Sequence, residues 1–269
     1  MNSPVPERTA FVPPHETSIA QQPALVKPFW TNLLGPSWVV ALVIFAIVAS
    51  VRFFVFLGPY SLQELLFLQI VGLWTLPFVL LTDRGRRQIG LTAAGTTAGP
   101  LLGGAVTGAV CGFLLFKLGT EIYGNSPNNW DLSIRSYLRF DEMRGLLSPA
   151  ELFALYAFPA VFVNPAGEEI LFRGLIQEAF SSRFNRAFSS AVSSVLFGML
   201  YLYLHGIWHD GSGFHLRLGS AVLAIVLLSL IGFTFHLCRV LSGSLWAAMT
   251  AHAGFNLALL TAAILRFAH

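Results

Sequence analysis

Glu168, Glu169 and Arg173 lie in a stretch otherwise made of Phe, Leu, Val and Ala. A charge at bilayer depth costs roughly 2.5 to 3.5 kcal/mol on insertion scales, so three together need a reason. On a helix Glu169 and Arg173, four residues apart, share a face and can pair; Glu168 lies about 100° away in projection and faces something else. One carboxylate reads as structural, the other as available. His252 and Asn256 are likewise four apart, one turn above the other on a single face. A carboxylate withdrawn from water can act as base toward a water molecule while imidazole and amide donors stabilise an oxyanion, so the chemistry on offer is hydrolysis. The chain has no nucleophile elbow and no HExxH, and neither Cys111 nor Cys238 has a helical His partner, so serine and cysteine protease readings lack support.

The elements that must position these residues are membrane helices. At 55% hydrophobic and 11% charged, with mean hydropathy +0.68, the chain lies far from a soluble composition, which carries about 25% charged residues. The expected fold is all-α, a polytopic membrane bundle of about seven transmembrane helices at 38–57, 62–81, 100–118, 151–180, 187–207, 216–235 and 244–265. The proline-rich first thirty residues read as a disordered tail, with the bundle filling 31–269. Cys111 and Cys238 read as small packing residues.

Arginines fix the expected orientation. Arg84, Arg86 and Arg87 share one loop, Arg183 and Arg186 another, and Arg239 a third, all on one side of a seven-span arrangement. That side is cytoplasmic by the positive-inside rule, as is the N-terminus, and short loops suggest a bacterial inner membrane. The net charge of +3 therefore reports topology, and no basic face suits a nucleic acid. Arg52, near the outer end of the first span, reads as snorkelling to the headgroups. Gly95, Gly99 and Gly103, and then Gly104, Gly108 and Gly112, form ridges for close helix packing within one subunit. The loop 119–150 holds an expected amphipathic surface helix over 132–147.

The fourth span is too long for one straight crossing: thirty residues make about 45 Å against a core of about 30 Å. Pro165 can bend it by removing one donor, or Asn164 and Pro165 can start a new helix with Glu168 in its first turns. Glu178 is expected to be solvated. Counting about 1.5 Å per residue from the cytoplasmic ends puts Glu168 at about 20 Å, Tyr201 at about 21 Å and Asn256 at about 18 Å, with His252 a turn nearer the cytoplasm and His205 a turn farther out. His205 and His209 have helical HxxxH spacing, which leaves an external metal site conceivable, although the span is ending there.

Glu168-Glu169-Ile170-Leu171-Phe172-Arg173-Gly174 and His252-Ala253-Gly254-Phe255-Asn256 resemble the first and third motifs, EExxxR and HxxxN, of the CAAX protease and bacteriocin-processing family (CPBP, or ABI), which are intramembrane endopeptidases. The resemblance covers about 150–265. It implies that Glu168 activates water, that His252 and Asn256 hold the oxyanion, that Glu169 and Arg173 support the site, and that a peptide or protein substrate enters from the bilayer. It leaves open a divalent metal such as zinc, or none. Where the family's second motif, FxxxH, ends in His, this chain has Phe197 followed by Tyr201, and His205 comes one turn later. A phenol donates a hydrogen bond but cannot share a proton at neutral pH as imidazole can. Beside the peptidase stand a catalytically degenerate relative acting as a membrane scaffold or bacteriocin-immunity-type binder, and, more weakly, a transporter using the buried charges as an ion relay.

Overall fold

The computed structural model describes residues 24–57, 64–91, 97–137, 140–143, 145–209 and 214–268. Its architecture is helical: α1 (Pro28–Leu34), α2 (Ser37–Leu57), α3 (Glu64–Leu80), α4 (Asp83–Gln88), α5 (Ala98–Tyr123), α6 (Trp130–Tyr137), α7 (Phe140–Met143), α8 (Pro149–Phe158), α9 (Asn164–Glu169), α10 (Gln177–Ser181), α11 (Arg186–Leu200), α12 (Leu202–His205), α13 (Leu218–Ser242) and α14 (Leu245–Ala268). Two three-residue strands, Ile207–His209 and Phe214–Leu216, pair antiparallel after α12.

Among the described residues four helices are long and apolar enough to cross a membrane: Ser37–Phe56, Ala98–Tyr123, Leu218–Ser242 and Leu245–Arg266. Leu65–Leu80 and Arg186–Leu200 are shorter apolar helices, so the expected count of seven spans is not confirmed. Phe54, Phe67, Leu102, Val106 and Leu230 are exposed on these helices, as a lipid-facing surface requires. The fifth expected span ends early, at Leu200, because Tyr201 leaves the helix at φ −91° and ψ 6° before the short α12.

The chain is folded before residue 30. Leu25 and Val26 are buried, Val26 bridges Leu81, and α1 begins at Pro28. The tail expected over 1–30 otherwise lies outside the described residues, as do Gly95 and 210–213. In place of one amphipathic surface helix over 132–147 there are two short helices, α6 and α7, which end at Met143 and bury Trp130, Asp131, Ser133 and Phe140.

Glycines decide the central packing. A Cβ on Gly104, Gly108 or Gly112 would run into the backbone oxygens of Ala247, Ala251 and Phe255, so α5 lies directly against α14; Gly254 returns the contact at Ala105. Gly99 and Gly103 face open space. The ridge at 104, 108 and 112 therefore works inside the subunit and fixes the face of α14 that carries His252.

The long fourth segment is one helical run from Pro149 to Ser181 with two π-helical stretches, Pro159–Val163 and Ile170–Ile176. The Asn164 N–H reaches back five residues to Pro159 O, and Pro165 has no N–H, so the Ala160 carbonyl loses both its helical donors. Asn256 Nδ2 donates to it at 2.7 Å, and Trp74 Nε1 donates to Val163 O at 2.9 Å. Both expectations for Pro165 are thus modified: the helix continues through it, widened, with its freed carbonyls met by neighbouring helices.

Candidate active site

Glu168, Glu169, Arg173 and His252 are fully buried where α9 and the following π stretch pack against α13 and α14. Glu169 and Arg173 pair as their spacing predicts, Nη1 to Oε1 at 2.8 Å. Arg173 also donates through Nη2 to Gly232 O, and its guanidinium lies 4.6 Å from the Phe197 ring centre and 5.4 Å from that of Phe235. The same Glu169 oxygen meets His252 Nδ1 at 2.9 Å. With Nδ1 as the donor, Nε2 carries a lone pair and faces Glu168 Oε2 at 3.9 Å. The imidazole is stacked on Phe235, with ring centres 5.1 Å apart and planes at 22°, and meets the edge of Phe197.

Glu168 has two partners. Tyr201 donates its hydroxyl to Oε2 at 2.8 Å, and Arg52 Nη1 lies 2.8 Å from Oε1. The second contact corrects the reading of Arg52 as a snorkelling residue. It is 4% exposed, its Nε donates to Gln69 Oε1 at 2.9 Å, and its Nη2 donates to Asn164 Oδ1 at 3.2 Å. Sequence reasoning thus missed Arg52, Gln69 and Asn164. Glu178 also differs from expectation: Arg239 pairs with it at 2.8 Å, and Gln88 Nε2 donates to it at 3.1 Å.

Beside this cluster lies a cavity of about 290 Å³ with mainly apolar walls, including Leu66, Ile70, Pro159, Leu228 and Leu260. Its polar rim comes from Arg52, Gln69, Asn164, Tyr201, His205 and Asn256. Glu168 is not on its wall; Arg52 and Tyr201, which are bound to it, are. Asn256 is therefore brought to the cavity, although one amide N–H is committed to Ala160. His205 lines the cavity too, its ring stacked with Tyr201 at 6.4 Å. His205 ends its helix and His209 sits on a strand, so their HxxxH spacing is not helical.

Among the described residues no group of three or more His, Cys, Asp or Glu side chains is arranged to hold a metal ion. Chemistry agrees: each buried carboxylate already faces a guanidinium, and His252 Nδ1 is held by Glu169. The donor set does not fit a bound divalent cation.

Residues 150–258 match the family model described as type II CAAX prenyl endopeptidase Rce1-like. No curated protein matches the chain, and no solved structure matches it.

Proposed function

From membership of this stretch in the Rce1-like branch of the CPBP family, we propose that the protein is an intramembrane peptidase in which Glu168 activates water against a peptide bond. The observation that carries the reading is the convergence of Glu168 with His252 at 3.9 Å and Tyr201 at 2.8 Å, against the polar rim of the apolar cavity. In the reaction, the water oxygen bonds to the scissile carbonyl carbon as its proton passes to Glu168. The C–N bond then breaks as that proton is delivered to the leaving nitrogen. Tyr201 and the free Asn256 N–H donate to the developing oxyanion, which replaces the resting Tyr201 bond to Glu168. Glu169 and Arg173 hold the His252 ring in place. The substrate is a peptide or protein segment reaching the apolar cavity from the bilayer. The arginine-bearing loops support a cytoplasmic N-terminus, and the short loops support a bacterial inner membrane.

One observation favours a second reading. Both Glu168 oxygens are engaged, Oε2 by the Tyr201 hydroxyl and Oε1 by the Arg52 ion pair, and Arg52 and Tyr201, not Glu168, line the cavity. A degenerate member acting as a membrane scaffold or immunity-type binder would keep such a closed arrangement. Incubating candidate membrane peptides with purified wild type and Tyr201→His separates the two. Cleavage by wild type supports the peptidase; cleavage gained only by Tyr201→His sinks it in favour of the degenerate relative.

A further inference from the structure

Arg52 lies on α2, outside the matched residues 150–258, yet it holds one oxygen of Glu168. Its nitrogens reach three acceptors on two elements: Glu168 on α9 at 2.8 Å, Asn164 at the start of the same helix at 3.2 Å, and Gln69 on α3 at 2.9 Å. Gln69 is itself fixed, its Nε2 donating to Val48 O at 2.8 Å. A planar guanidinium fork held this way has one orientation, and it keeps its proton throughout the range in which an imidazole titrates. A carboxylate buried without a cation neutralises by protonation instead.

The other charged and titratable groups around Glu168 do not supply that cation. Arg173 is matched to Glu169, and His252 offers Glu169 its Nδ1 proton. Tyr201 and Tyr203, the latter a buried residue of α12 on the same cavity wall as Arg52, are phenols. We propose that Arg52 is the positioning residue of the Glu168 centre, a permanent cation from α2 that keeps this carboxylate ionised and turned toward Tyr201 and His252. The inference rests on the reading of Glu168 as the working carboxylate. It divides between two residues what an imidazole in place of Tyr201 would combine: Tyr201 gives a hydrogen bond without charge, and Arg52 gives a charge that does not titrate.

Infrared spectra of the full protein in lipid bilayers at neutral pH test this without needing activity. Wild type is expected to show no protonated-carboxyl band that Glu168→Gln removes. Arg52→Met should show such a band, Arg52→Lys should not, and the band should vanish in Arg52→Met/Glu168→Gln. A folded Arg52→Met without the band, or a wild-type band removed by Glu168→Gln, overturns the proposal. If Arg52→Met does not fold, recovery of folding in the double variant supports it, because the unmatched carboxylate was then the fault. Failure of the double variant as well overturns it, leaving Arg52 a packing role. Absence of wild-type peptide cleavage alongside the expected spectra would sink the peptidase reading and support the positioning one.

Discussion

Glu169 works through a single oxygen. Its Oε1 accepts from Arg173 Nη1 and from His252 Nδ1, so one atom matches a buried cation and sets an imidazole tautomer. Replacing Glu169 with Gln keeps an acceptor but leaves Arg173 a buried charge without a carboxylate. Breaking one side of a buried pair is strongly destabilising, so Glu169→Gln should lose about 3–5 kcal/mol in denaturant unfolding. A loss below about 1 kcal/mol would mean that Gly232 O and the aromatic rings match the guanidinium alone. This pairing was legible in the sequence because four-residue spacing fixes a helical face. The pairing of Arg52 with Glu168 was missed, although depth held a signal for it: fourteen residues into its span, Arg52 lies about 21 Å from the inner end, the level of Glu168. What spacing could not give is rotation about the helix axis. It therefore could not show that His252 bonds Glu169 and only faces Glu168.

At the scale of elements, two packing arrangements set the site. In the first, α5 and α14 touch backbone to backbone at Gly108 and Ala251. Gly108→Ala should force the helices apart and cost about 1–3 kcal/mol. Gly103→Ala, which meets open space, should be neutral or stabilise by up to about 1 kcal/mol through helix propensity. Equal effects of the two in thermal unfolding would contradict this account of the ridge. The glycine series was plain in the sequence, since four-residue spacing of small residues marks a close-approach face. The second arrangement is the run from Pro149 to Ser181. Pro165 announced a disturbance, but the π register around it did not show, because it depends on donors from elsewhere in the chain. Asn256 and Trp74 satisfy carbonyls that an isolated helix would leave bare. That is also why Asn256 emerges with part of its amide already engaged, although its spacing from His252 suggested only a site residue.

For the whole molecule, composition carried the class: an apolar chain with few charges folds as a helical membrane bundle. Length arithmetic alone did not carry the span count, because α11 stops at Tyr201 and the fourth segment is a widened composite. Orientation rests on the arginine loops, so a reporter fused to the N-terminus should be active only in its cytoplasmic form; activity only in an exported form would reverse the topology. The architecture also joins parts that the family match separates. Helices α2 and α3, outside residues 150–258, deliver Arg52 and Gln69 to a carboxylate inside them. The account stands or falls on that carboxylate, and the most direct measurement is kcat/KM for peptide cleavage by folded wild type and Glu168→Gln in lipid bilayers. Loss of a positioned general base should lower it about 10²- to 10⁴-fold. Cleavage by Glu168→Gln at the wild-type rate would contradict the account.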